Sequence, residues 1–175
     1  MSRGALTRAG FIALIITSGL LAGAGPAAAQ IACTEAALRA AIDGAADGAT
    51  ITLPGNCIIT LTGAADDDSN TSGDIDIAGN TAAATLTIQG AGVGSTIIDA
   101  NGVDRGIDIG AGKTVTIKSL TLRGGDATQN AGTQDGGGIF FGGDSLTLQD
   151  VEIINNKANN GGGLFDFGGA ITLTR

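Results

Sequence analysis

The sequence predicts an all-β chain, a parallel solenoid fronted by one short capping helix. Three observations predict it. Apolar residues alternate with Thr, Asp or Gly at period two along most of the chain. Glycine supplies 31 of the 175 residues, a proportion that suits many tight corners. Landmarks also return at a common offset: Gly136-Gly137-Gly138-Ile139-Phe140 recurs as Gly161-Gly162-Gly163-Leu164-Phe165, and Leu146-Thr147-Leu148 as Ile171-Thr172-Leu173, each 25 residues on.

Residues 1–29 read as a secretory signal peptide. Arg3 and Arg8 precede the apolar run Phe11 to Ala22, and Ala27-Ala28-Ala29 forms a small-residue cleavage site before Gln30. The run is shorter than the roughly 20 apolar residues of a membrane span, so no transmembrane segment is expected after cleavage. Removal takes two of the nine basic residues and none of the seventeen acidic ones, leaving a formal charge of −10. In an oxidising compartment the two cysteines, Cys33 and Cys57, are expected to form a structural disulfide. Two free or buried thiols are the alternative, which spacing alone does not decide.

The capping region is residues 30–48. Thr34 is placed to cap a helix, Glu35 sits in its first turn where the dipole favours an anion, Leu38 and Ile42 share one face, and Gly44 stops it. From 49 to 175 the pattern is strand and corner. Ile51-Thr52-Leu53, Ile59-Thr60-Leu61, Ile75-Asp76-Ile77, Leu86-Thr87-Ile88 and Ile107-Asp108-Ile109 are short strands with one buried face. Thr114 to Leu122 resembles Ser145 to Ile153, 31 residues on. Such units cannot bury their own apolar face and must stack on neighbours about 4.8 Å away. Asn155, Asn156, Asn159 and Asn160 suit the corners and the polar contacts between layers. An antiparallel sandwich is the competing architecture, with hairpins every 8 to 12 residues or so. The helix would cover the first layer. The sequence stops at Ile171-Thr172-Leu173-Thr174-Arg175, inside a strand, so an apparently truncated solenoid with further coils beyond Arg175 is expected.

Composition excludes much. With no histidine, Ser/His/Asp and Cys/His catalysis and imidazole metal sites are impossible. Charged residues are 15% of the chain and no basic patch exists, so no nucleic-acid partner is expected. Gly124-Gly125 and Gly136 to Gly138 lack the Lys-Ser/Thr and helix that make a P-loop.

Ala32-Cys33-Thr34-Glu35-Ala36-Ala37-Leu38-Arg39-Ala40-Ala41-Ile42, followed by Ala49-Thr50-Ile51-Thr52-Leu53-Pro54 and Ile59-Thr60-Leu61-Thr62, resembles the N-terminal region of bacterial CSLREA-domain proteins. There a Cys-led helix precedes an I-x-L-P strand and a right-handed parallel β-helix of the pectin-lyase-like kind. Gly137-Gly138-Ile139-Phe140, Gly162-Gly163-Leu164-Phe165 and Gly168-Gly169-Ala170-Ile171 are similar to the glycine-led repeats of polymorphic outer membrane proteins, and Ile153-Ile154-Asn155-Asn156 to their FxxN motif with Ile for Phe. The resemblance implies an exported passenger, secreted or on the bacterial cell surface or outer membrane, often adhesive.

Asp66-Asp67-Asp68-Ser69-Asn70-Thr71-Ser72-Gly73-Asp74-Ile75-Asp76 is the densest polar segment. Asp66, Asp68, Asn70 and Asp74 offer oxygen ligands for a structural Ca²⁺, although the EF-hand pattern fails because Thr71 stands where Gly is needed. The plainer reading is a solvated surface loop. For polysaccharide cleavage the candidates are Asp99, Asp104 and Asp108 with Arg105, or Lys118 with Arg123. Asp76 and Asp108 alternate with Ile and read equally as outward strand residues. Phe140, Phe141, Phe165 and Phe167 read as core stacks beside the glycine corners. The expectation is therefore a non-enzymatic adhesin-like or structural β-helix with no cofactor beyond that calcium. Its partner would be an extracellular protein or polysaccharide, and a polysaccharide lyase or glycoside hydrolase is the alternative. Converging carboxylates with a Lys or Arg in a groove would favour the enzyme, and a flat Thr/Asp/Asn face would favour binding.

Overall fold

In the computed structural model, residues 30–175 are described, and the leader read at 1–29 lies outside them. The chain is mostly β, and every strand pairing is parallel. That excludes the antiparallel sandwich. Helix α1 (Glu35–Asp43) is followed by β1 (Ala49–Thr52), β2 (Cys57–Thr60), β3 (Ile75–Ile77), β4 (Thr85–Gln89), β5 (Thr96–Asp99), β6 (Ile107–Ile109) and β7 (Thr114–Arg123). Then come a 3-10 turn (Ala127–Gln129), β8 (Ile139–Phe141), β9 (Ser145–Ile154), β10 (Leu164–Asp166) and β11 (Ala170–Thr174). Strand β5 is one the alternation did not reveal.

The chain visits three ladders in a constant order. The first pairs β1, β4, the front half of β7, the front half of β9, and β11. The second pairs β2, β5 and the rear halves of β7 and β9. The third pairs β3, β6, β8 and β10. Like residues therefore fall into rows. Ile51, Ile88, Ile117 and Leu148 form one inward row, and Ile59, Ile98, Leu122 and Ile153 another. Ile75, Ile107 and Ile139 form a third. Most of these side chains are fully buried in one continuous core. A one-residue slip would turn every member of a row to water.

Corners depend on backbone that few side chains tolerate. Ser119 in β7 and Asp150 in β9 lie beside each other and both take positive φ, 56° and 51°. They bend each long strand from the first ladder into the second. At the Gly-rich corner, Gly106, Gly137 and Gly138 hydrogen-bond from one layer to the next. A methyl on Gly138 would collide with the Gly163 carbonyl oxygen, and one on Gly137 with the Lys157 and Gly162 carbonyl oxygens, so this corner has no room for a side chain at either position. The asparagines serve the same joints. Asn156 Oδ1 accepts from Gly125 N at 2.7 Å, and Asn160 Nδ2 donates to Asp135 Oδ1 at 2.7 Å.

The helix begins as read. Thr34 Oγ1 accepts from Ala37 N, the Gly44 N–H donates back to the Ala40 carbonyl, and the Ala45 N–H donates to the Ile42 carbonyl. Leu38 and Ile42 bury in the same core as the strands. The Cys33–Cys57 disulfide is formed, with Cα atoms 5.7 Å apart, and ties the helix to β2. Closing a loop of that length restricts the unfolded chain by roughly 3 kcal/mol.

The rows imply an asymmetry between neighbours in one strand. Ile117→Ala, in an inward row, is expected to cost about 2–5 kcal/mol, whereas Thr116→Ala, one position away and facing out, should stay within about 0.5 kcal/mol. Urea midpoints of the two variants check this, and equal effects would contradict the register.

Candidate functional site

The acidic segment is only in part the solvated loop its composition suggests: Asp66, Asp68, Ser69 and Thr71 are exposed, but Asn70 and the stretch from Gly73 to Asp76 are buried. Arg39 of α1, 7% exposed, donates to the Gly73 carbonyl at 2.8 Å, the Asp74 carbonyl at 2.6 Å and Asn70 Oδ1 at 3.1 Å. Glu35 holds the same guanidinium at 2.8 Å and also accepts from Thr62. The helix thus clamps the segment down over the third ladder. Asn70, Asp74 and Asp76 end up nearly inaccessible.

Under that clamp lies a cleft of about 310 Å³, lined among others by Asp66, Asp68, Asp74, Asp104, Arg105 and Asp108. The third ladder builds its floor. Strands β3 and β6 pair so that Asp76 lies beside Asp108, and the same outward row continues through Phe140 and Phe165. Arg105 donates to Asp108 Oδ2 at 2.6 Å and to the Thr133 carbonyl at 2.7 Å, and its guanidinium lies 5.2 Å from the Phe140 ring centroid. Its Nε is 3.8 Å from Asp74 Oδ2. Asp104 accepts from the Arg105 backbone N–H at 2.6 Å and from Asp66 N at 3.1 Å.

Too many acids share too little water here. Burial pushes Asp74 up to about 9, reinforced by the neighbouring Asp76 and Asp104 carboxylates against the pull of Arg105. Burial likewise pushes Asp76 up to about 7, opposed by the Asn70 N–H. Asp108 is raised by burial in spite of Arg105. Asp67 goes the other way, held down by Ser69 and Thr71 hydroxyls in its own turn.

Of the residues singled out from sequence, Asp66, Asp68 and Asp74 meet at the cleft. Asn70 does not serve as a ligand there. Its Oδ1 is taken by Arg39, and its Nδ2 donates to Asp43 and the Arg39 carbonyl. Among the candidates for cleavage, Asp104, Arg105 and Asp108 converge. Asp99 instead pairs with Arg123 at 2.8 Å on the second ladder, and Lys118 lies in an outward row between Gln89 and Gln149. The phenylalanines are not all core. Among the described phenylalanines only Phe141 is fully buried. Phe140 stacks outward on Phe165, with centroids 5.6 Å apart, and on Phe167 at 6.3 Å, and Phe167 is 76% exposed. Sequence reading missed Asn130, which lines the cleft. It also missed Asp76 as a partner, although the identical tripeptides Ile75-Asp76-Ile77 and Ile107-Asp108-Ile109 signal that pair once parallel stacking is assumed.

A second surface is built by the first ladder. Thr50, Thr87, Thr116, Thr147 and Thr172 form one continuous outward row. Thr85, Thr114 and Ser145 form a parallel row two residues away. Threonine hydroxyls that bond to the protein lie elsewhere in the sheet, as at Thr96, Thr121 and Thr174. The five in the central row reach no protein partner among the described residues.

No family model matches the chain, and no match was found among the curated proteins or the solved structures. Among the described residues no helix is long and apolar enough to cross a membrane.

The raised carboxyls set a pH dependence. A carboxyl whose folded pKa exceeds its unfolded value near 4 favours the native state when protonated, so stability should fall as pH rises from about 4 through 7 and toward 9. Thermal midpoints measured across that range in metal-free buffer check the sign, and a midpoint that climbs with pH would refute it.

Proposed function

We propose that this chain is an exported right-handed parallel β-helix, secreted or displayed on a bacterial cell surface, that works as a binding module for extended polysaccharide. The three-ladder path supports the β-helix, and the near-universal hand of parallel crossovers supports its right-handedness. The leader composition and the resemblance to surface passengers support export. The observation that carries the binding reading is the threonine row Thr50–Thr87–Thr116–Thr147–Thr172. It repeats one hydroxyl and one methyl about every 4.8 Å across strands, with a flanking row about 6.7 Å away along them. These groups are held rigidly by the core behind them and have no internal partner. A periodic face of that kind suits a ligand that itself repeats, whose hydroxyls bond the threonines while its apolar ring faces meet the methyls.

The test is retention on insoluble polysaccharides such as cellulose, chitin and peptidoglycan. The full exported chain should be retained, and Thr87→Glu with Thr116→Glu should weaken retention at least tenfold while circular dichroism stays unchanged. Equal retention of the variant, or none by the parent chain, would overturn the reading. Adsorption to ice with no polysaccharide retained would also overturn it, and would assign the face to ordered water.

A second reading, cleavage of a neutral polysaccharide, is favoured by one observation: Asp74, Asp104 and Asp108 converge with Arg105 in one cleft. Acid and base carboxyls in proximity are the elements of glycoside hydrolysis. The acidic surface argues against a polyuronate substrate. Release of reducing ends that Asp108→Asn abolishes is the expected result for that reading, and the absence of any release from neutral glycans removes it.

A further inference from the structure

The geometry points to a calcium site in the acidic cleft, formed by Asp74, Asp76 and Asp108 and completed by Asn130. The three carboxylates each present one oxygen, and those oxygens all lie within 4.8 Å of one another. Calcium takes six to eight oxygen ligands in flexible geometry and accepts several protein carboxylates and amide carbonyls at once, whereas magnesium usually keeps several waters and only one or two carboxylates. The donors are all hard oxygen, which also disfavours zinc.

Asn130 supplies an independent pointer. Its side chain lines the cleft and is 4% exposed, and its Oδ1 has no hydrogen-bond partner. A buried carbonyl oxygen left unpaired is costly and rare, and a neutral amide oxygen is a standard calcium ligand. Two other features agree. Among the described residues no hydrogen bond reaches the Asp74 carboxylate, whose nearest cation there is Arg105 Nε at 3.8 Å. Arg105 itself is committed to Asp108 and the Thr133 carbonyl, and among the described residues no other basic residue lines the cleft against the acids of its wall. One guanidinium faces a surplus of carboxylates, and its Nε is itself unpartnered.

This site differs from the one composition suggests. Asp66 and Asp68 stand at the exposed rim, and Asn70 faces the helix. A cation held by Asp74 and Asp76 from the clamped segment and by Asp108 from the next layer would fasten the two together. The inference is independent of the polysaccharide readings, because binding is measured with no glycan present.

The experiment is calorimetric titration of the chelator-treated full chain with CaCl₂, repeated with MgCl₂. One calcium per chain is expected, at least tenfold tighter than magnesium, with a rise in thermal midpoint. Asp108→Asn should weaken calcium at least tenfold. Asn130→Ala, which removes no charge and leaves the ladder intact, should weaken it several-fold and keeps the test valid if Asp108→Asn misfolds. Asp66→Asn with Asp68→Asn should have less effect than Asp108→Asn. Three results would overturn the assignment: no heat up to millimolar calcium from a folded chain, binding indifferent to both Asp108→Asn and Asn130→Ala, or binding lost only with the rim pair.

Discussion

The molecule rests on parallel, in-register stacking. A strand of three to five residues with one apolar face has no independent stability, and here each such strand finds its dry side only because the segment about 25 to 40 residues away in sequence lies directly against it. That constraint explains the composition. Inward positions become Ile, Leu and Val because they must fill a row whose neighbours are the same kind of residue. Corners become Gly, or Asn, Asp and Ser at positive φ, because the backbone must turn there without a side chain striking the layer above.

Stacking also turns a sequence motif into a site. A Thr every second residue is an ordinary outward strand position. Repeated on five layers in one register it becomes a lattice of hydroxyls and methyls. An Asp between two isoleucines is ordinary too, yet two such strands in register bring two carboxylates together, and the clamped segment lowers a third onto them. The helix matters as more than a lid on the apolar core. Arg39 gathers the backbone carbonyls of Gly73 and Asp74 and so converts a polar excursion into the wall of a cleft.

Much of the architecture was legible before any coordinates. The alternation marked most strands, the 25-residue echo marked the stacking, and Thr34, Leu38, Ile42 and Gly44 marked the helix. Strand β5 escaped because Thr96-Ile97-Ile98-Asp99 presents two adjacent isoleucines instead of a clean alternation. The phenylalanines were misplaced for a related reason. Phe140 and Phe141 are adjacent and so must face opposite sides of their strand, and sequence does not say which one faces in. The register of β8 against β6 decides that Phe141 joins the core and Phe140 joins Asp108 on the outside.

By itself the sequence determined the all-β class of the chain, most of its strands, its N-terminal helix and the residues eligible to carry a site, because these follow from local pattern and from the side-chain alternation of a strand. Tertiary structure alone decided which eligible residues meet. Asp99 and Asp108 look alike in sequence, but one pairs with Arg123 near the surface and the other lines a crowded cleft with its carboxylate close to those of Asp74 and Asp76. The physical reason is that proximity here runs across layers. It is set by the length of each corner loop between strands, which varies from turn to turn, and by the hold of Arg39 on one of those loops, neither of which leaves a periodic mark in the chain.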